Sequence, residues 1–383
     1  MTGSLSEMIF EAMQLVTPVR DLPVRANVRR LVPSIKPHRC RKVAHNLMRR
    51  NVPGSSRGSR GATAESPKRG RVMEHLPAHQ FQYLVDEKAI HDRLQIPLDH
   101  PVRVFDLNGL GIDQERFLHE LAPTFSVLAV DSYVAKLAQV DFLKQRFPNA
   151  GARLDEFLAY YYADQLTLLS VFDLIERLTL DERHEFDRIG IRGRRTRSIA
   201  RFVLTHDSSE SGWDVLRLPP QDFVQNVADP RALKRRFQET AAIVAEHPLF
   251  LAWMRAVATI VKEVRPEATK LGMTLHPVCI YADILGEGNN SPEGTHQDGA
   301  DYIVSALVVE RVGILGGESV VFLREGGSET ECLRFTLQPG QGLFQADRGT
   351  PLWHVVTPIR EDPNMPPGYG SRSILGFDIN VLG

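Results

Sequence analysis

Cysteine is scarce: Cys40, Cys279 and Cys332 are the only three, and no two of them form a CxxC pair. An odd, scattered set supplies no disulfide framework and points to a reducing compartment. Long apolar runs are missing as well. The best candidate for a membrane span, Pro248 to Val261, is interrupted by Arg255 and reads as a core helix. The first residues show no basic segment followed by an apolar stretch, so no secretory signal is read. Together these absences lead us to expect a cytoplasmic chain with no membrane contact.

Net charge is also nearly absent, at −1 over 383 residues, but that average conceals a division. Residues 1–71 hold 15 Lys/Arg against 4 Asp/Glu, whereas the remainder holds 31 against 43. The stretch from Asn51 to Arg71 is dominated by Pro, Ser, Gly and Arg and has too little apolar surface to order itself. An Arg-rich transit peptide and a nucleic-acid-binding arm are two readings of residues 1–72. We favour a third, an extension ahead of a start at Met73. The basic stretch has no interleaved aromatics, and we expect no nucleic-acid partner.

What is present divides in two. Between residues 73 and 273 the pattern is mixed and mainly helical, with three- and four-residue apolar spacings over Arg116–Leu121, Tyr133–Phe147 and Leu154–Leu178. Leu233 to Lys270 reads as one or two further helices interrupted near Pro248, and Val102–Leu107 and Phe125–Val130 read as strands. From residue 274 to 383, short β-branched runs alternate with Gly-rich turns: Thr274–Leu285, Tyr302–Val312, Glu318–Leu323, Cys332–Leu337, Gly342–Ala346, Leu352–Ile359 and Ser373–Leu382. This fits a jelly roll of about eight strands. The expected fold class is therefore α+β: a C-terminal double-stranded β-helix, cupin-like, with a mostly helical N-terminal portion packed on it.

The chemistry gathers in that second part. In Glu293-Gly-Thr-His-Gln-Asp-Gly-Ala-Asp301, His296 and Asp298 stand two apart, so an extended backbone points both to one side and Gln297 away. Gly299 removes a side chain where close approach is needed. Beyond them lies His354, on another strand. Two histidines and one carboxylate on one face of an octahedron form the non-haem Fe(II) triad, which leaves three positions open. Arg372, at the start of the final strand, offers a planar fork for the far carboxylate of 2-oxoglutarate. With 13 histidines in the chain a lone HxD has little specificity; the ordered set of HxD, His and Arg within one β-rich region has much more.

Blander readings stand beside these. His296 and Asp298 suit a strand–loop junction, His354 a core position beside Trp353, and Arg372 a surface ion pair. Asp347 either orients His354 or caps its own turn. Tyr281 is a candidate donor to the cosubstrate, although a core tyrosine has the same look. Trp353 is expected to point away from His354. The run from Arg192 to Arg197 reads as a solvated face, or as the source of one arginine for a substrate carboxylate. A rival site is Val104–Gly111 with Val127–Asp131, whose strand, glycine turn and terminal acid imitate a nucleotide or S-adenosylmethionine loop at Asp106–Gly111. A cupin-like metal-binding protein without oxygenase activity is the other alternative.

The stretch from Pro292 to Leu382 resembles the bacterial 2-oxoglutarate/Fe(II) dioxygenase family that includes the L-isoleucine hydroxylases. The matching pieces are PEGTHQDGADYI, GGES, Asp347 through His354 with TPI following, and GSRSILGFDI; more loosely, LAVDSY at Leu128 and QNVAD at Gln225 match the family's N-terminal half. The resemblance implies His296, Asp298 and His354 as iron ligands and Arg372 as the 2-oxoglutarate anchor, with O2 as co-reactant. It implies oxidative decarboxylation of the keto acid to succinate and CO2, coupled to hydroxylation of an unactivated C–H bond. Because Asp298 occupies the position, no site is freed for halide, and hydroxylation is expected over halogenation. The implied substrate is a small molecule, the side chain of a free L-amino acid; a homodimer is compatible with the reading.

Overall fold

A computed structural model of the chain describes residues 81–191, 194–207, 212–284, 286–366 and 368–383. The basic segment 1–72 lies outside the described residues.

The architecture is mixed helix and antiparallel sheet. Its strands are β1 (Val102–Asp106), β2 (Ala129–Val130), β3 (Arg195–Arg197), β4 (Ala200–Asp207), β5 (Gly212–Arg217), β6 (Lys270–Asp283), β7 (Tyr302–Val312), β8 (Ile314–Gly316), β9 (Ser319–Glu325), β10 (Ser328–Phe335), β11 (Gln341–Ala346), β12 (Leu352–Val356), β13 (Ile359–Glu361) and β14 (Tyr369–Val381). The larger sheet runs β1-β11-β7-β14-β6-β3-β2, with β4 also on β6 and β5 on β4; a smaller sheet runs β10-β9-β12, and β13 pairs with β8.

The central ladder joins β14 to β6 without a slip from Tyr369↔Asp283 to Val381↔Leu271. On its other side β6 is shared: Arg195–Arg197 of β3 pair with Ile280–Val278, while β4 takes over from Ala200↔Leu275. Pro277 sits at the handover, where a residue without an N–H costs no ladder bond. Its carbonyl still accepts from the Ser198 N–H.

One face of the larger sheet is closed by the helix Pro248–Val264. Pro248 suits its first turn, where the missing N–H is not needed. Leu249, Phe250, Trp253, Met254, Val257, Ile260 and Val261 recur at three- and four-residue spacing and are all buried. Trp253 stacks on Phe377 of β14 at 4.7 Å between ring centroids. Each such side chain contributes about 1.5–3 kcal/mol on burial. The odd-numbered residues of β14 face this helix, so the even-numbered ones, including Ile374 and Asp378, face the opposite side. There they line a cavity. A second apolar cluster, built from Tyr133, Val140, Leu143, Leu154, Phe157 and Phe186, holds the helices Ser132–Arg146, Gly151–Tyr162 and Leu180–Ile191 together at the mouth of that cavity.

The structure departs from expectation in three local places. Phe125–Val130 is not a strand: Pro123 opens a 3-10 turn over Ala122–Val127, and only Ala129–Val130 pair. The helix expected through Leu154–Leu178 stops at Tyr162, where Asp164 takes φ +56, and resumes as short turns. Strands β3, β4 and β5 fall where the reading expected no sheet. No helix among the described residues is long and apolar enough to cross a membrane.

Candidate metal centre and cavity

His296 and His354 are locked to each other through the main chain. The His296 N–H donates to the His354 carbonyl at 2.9 Å, and the His354 N–H returns the bond at 3.0 Å. Their rings are 4.3 Å apart between centroids. Asp298 completes the group: its carboxylate lies 3.6 Å from His296 Nε2 and 3.4 Å from His354 Nε2. One ligand atom from each residue falls within 4.8 Å of the others. The sequence reading of these three positions thus finds them converged.

The neighbours prepare each group. His296 Nδ1 lies 2.8 Å from the Gly294 carbonyl, which makes Nδ1 a protonated nitrogen and turns Nε2 toward the carboxylates of Asp298 and of Glu293, whose Oε1 is 3.0 Å away. Asp347 is fully buried, and its carboxylate accepts the N–H groups of Asp298, Gly299 and Ala300 at 3.0, 2.7 and 3.2 Å. It therefore holds the HxD loop rather than His354. Gln297 does point away from the triad, with Nε2 within 3.0 Å of the carbonyls of Asp347, Thr350 and Leu352. Gly299, at φ +86, is required by main chain: a Cβ there would lie 2.5 Å from the Asn226 carbonyl. Asp298 Oδ1 also receives Gln225 Nε2 at 3.1 Å and Arg231 Nη1 at 3.3 Å.

Electrostatics agree with a cation seat. Burial alone lowers the His296 pKa, yet the Asp298 and Glu293 carboxylates outweigh it and push it up to about 9. Asp298 is held well below the usual carboxylate range by the two imidazoles in spite of burial. His354 is lowered by burial and by His296. The Asp298 and Glu293 carboxylates that raise His296 also favour a divalent ion at the meeting point, and a mixed N,N,O donor set suits Fe(II).

Arg372 is 0% exposed, and none of its three guanidinium nitrogens has a hydrogen-bond partner among the described residues. Burial, with the neighbouring Arg311, pushes its pKa down to about 9. It lies on the cavity side of β14, two residues before Ile374. A buried charge without a counter-ion is expensive, and a bound carboxylate relieves that cost. Arg311, which pairs with Arg372 across β7 and β14, was missed in the sequence; its Nη1 is likewise buried and unpartnered among the described residues. Gly317, at φ +69, leaves the space: a Cβ there would lie 3.1 Å from Arg372 Cδ and 3.2 Å from Arg311 Nη1.

Other readings resolve on geometry. Tyr281 falls on the opposite side of β6 from His276 and Val278, so it is not brought to the cavity. Trp353 points away from His354 and lies under Arg324, 4.1 Å from its ring centroid. At Asp106–Gly111 the acid closes its own turn on the Gly109 N–H, and β1 is antiparallel to β11, so no parallel strand–turn–helix forms there.

The cavity above the triad has a volume of about 480 Å³. Val278, Val304, Val356 and Ile374 give it an apolar floor, and its polar wall sets Arg195, Arg197, Arg231 and Arg235 among the carboxylates of Asp131, Asp229, Glu293 and Asp378. Of these arginines the sequence singled out only the run that contains Arg195 and Arg197.

No curated protein matches the chain. Among solved structures it is similar to a bsmA homologue from Methylobium petroleophilum PM1, at 24% identity over 49% of this chain and 72% of that one, with a TM-score of 0.41. It is also similar to IDO from Bacillus thuringiensis, at 18% identity over 50% and 77% of the two chains, with a TM-score of 0.38. A third, the Fe(II)/(alpha)ketoglutarate-dependent dioxygenase TqaL, is 15% identical over 65% and 89%, with a TM-score of 0.36. The family model described as 2OG-Fe dioxygenase matches residues 175–378, more than half of the chain and all of the converged site. The chain therefore belongs to the 2OG-Fe dioxygenase family and is an enzyme that depends on Fe(II), 2-oxoglutarate and O2.

Proposed function

We propose that His296, Asp298 and His354 hold the iron, that Arg372 receives the distal carboxylate of 2-oxoglutarate, and that the enzyme hydroxylates the side chain of a free L-amino acid. Succinate and CO2 are the products of the cosubstrate. In this reading residues 274–383 form a double-stranded β-helix, the larger and smaller sheets being its two walls, and the preceding region supports it and frames the substrate.

The observation that carries the reading is Arg372: a fully buried guanidinium, unpartnered among the described residues, on the cavity side of β14. Bound iron supplies activation of dioxygen at the open positions of the triad. The protein's part is positional. Gly294 sets the His296 tautomer, Asp347 and Gln297 hold the ligand loop, and the apolar floor keeps water from the C–H bond to be attacked.

Anaerobic titration with Fe(II) and 2-oxoglutarate tests it through the visible charge-transfer band of the chelate. The band is expected in the wild type and absent in His296→Ala. A folded, iron-loaded wild type that shows no band refutes the site assignment.

A further inference from the structure

Four arginines line the cavity, and their surroundings separate them. Arg195 is neutralised by Asp131 at 2.8 Å. Arg231 is shared among Asp229, Glu293 and Asp298. Arg197 and Arg235 form no ion pair among the described residues, although they are only 8% and 6% exposed. Arg197 has Nη2 at 2.7 Å from the His276 ring, while Arg235 donates to the Gln225 side-chain oxygen and the Arg231 carbonyl. The Nε of each is buried and without a partner among the described residues.

The two guanidiniums flank one aromatic pair. Arg197 lies 4.4 Å from the Phe237 ring centroid and Arg235 5.0 Å from that of Phe223. Stacking fixes their planes without neutralising them. Arg197 is further held by a chain: Asp378 lies 2.9 Å from His276 Nε2, so that ring nitrogen carries the proton and Nδ1 accepts from Arg197. Burial lowers the pKa of both arginines, Arg197 to about 10, with Arg195 adding to the fall at each and Asp131 opposing it. Two held, desolvated cations on a cavity wall, acted on by Asp131 but paired with no carboxylate among the described residues, make an anion seat.

We propose that Arg197 and Arg235 bind the carboxylate of the substrate. This rests on the assignment of Arg372 to the cosubstrate and extends it, because the two seats are separate. Arg197 stands two strands across and two residues along from Arg372, roughly 12 Å between Cα atoms at ordinary strand spacing. The enzyme thus takes two acids, the keto acid toward Arg372 on the same side of β14 and a small carboxylate-bearing substrate in the cavity at Arg197 and Arg235. The Asp378–His276 chain positions the second seat.

The test uses the full-length, iron-loaded enzyme with 2-oxoglutarate and the twenty proteinogenic L-amino acids as probes, read as stimulated succinate formation. At least one amino acid is expected to stimulate, and its primary amide to lose about 100-fold or more in kcat/KM. Arg197→Met and Arg235→Met are expected to raise KM for that amino acid by about 50-fold or more, with Arg197→Lys recovering part of the loss. In both Met variants the Fe(II)–2-oxoglutarate band stays. An amide as good as the acid overturns the inference, as do Met variants with unchanged KM or a band lost in Arg197→Met. If the band forms but no amino acid stimulates, the carboxylate inference falls and the cosubstrate assignment stands. If the wild type shows no band, the assignment beneath it has failed. The acid–amide comparison in the wild type holds even if a variant does not fold.

Discussion

Replacing Arg372 by Met is expected to make the metal-free protein more stable while abolishing its use of 2-oxoglutarate. The guanidinium is 0% exposed, its three nitrogens lack partners among the described residues, and Arg311 adds a second positive charge beside it. Its pKa falls from 12.5 to about 9, which at about 1.4 kcal/mol per pH unit corresponds to strain on the order of 5 kcal/mol. Met has a similar length, fills the channel beside Gly317 and brings no charge. Exchanges of buried charge for apolar volume gain about 1–4 kcal/mol, or roughly 3–10 °C in Tm for a protein of this size. The same change removes a charge-assisted fork on the cosubstrate, worth roughly 3–5 kcal/mol, so Kd for 2-oxoglutarate should rise on the order of 10²–10⁴-fold. Two measurements check this: thermal melting of the metal-free protein with and without 2-oxoglutarate, and the anaerobic band titration. A variant that melts several degrees below the wild type and still binds 2-oxoglutarate normally refutes the reasoning on both counts.

Asp347→Ala leaves the N–H groups of residues 298–300 without their acceptor, so we expect a loss of about 2–4 kcal/mol and a 10–100-fold weaker divalent-metal affinity, read by melting and Mn(II) titration; unchanged values on both would show that the loop holds itself. Gly317→Ala puts a methyl 3.1 Å from Arg372 Cδ at a φ of +69, and should raise KM for 2-oxoglutarate more than it lowers kcat; the reverse split would refute the channel. Because the metal-free His296 is protonated up to about pH 9, metal binding must displace a proton. Apparent Mn(II) affinity should therefore fall about tenfold per pH unit as pH drops below that value, and a flat profile between pH 7 and 9 would contradict the assigned charge state.

The converged His296, Asp298 and His354 were legible because the chemistry demands particular residue types at a particular spacing, and an HxD with a later His and Arg satisfies it. Their convergence through a reciprocal main-chain bridge was not, since that depends on two segments far apart in the chain. That Tyr281 lies on the side of β6 away from the cavity was not legible, for a physical reason. Both faces of β6 are buried, so its apolar pattern does not alternate, and nothing local says which parity meets the cavity. Arg311 stayed hidden because only the β7–β14 register sets it opposite Arg372. Asp347 is an aspartate in a turn like many others until its three N–H donors are seen. The strands β3 to β5 escaped because they are short or lie among helices. Yet β4 alternates cleanly, with Phe202 and Leu204 inward, and is the one a stricter count of period two would have found.

The main-chain bridge between His296 and His354 divides the centre into unequal parts. Of the three proposed ligands, the two histidines share one frame set by backbone geometry, while Asp298 sits on a loop held by Asp347. Loss of the carboxylate side chain would leave the histidine pair standing, with an open corner in place of an oxygen ligand. A change at residue 298 alone thus alters the donor set without touching the bridge that holds the histidines.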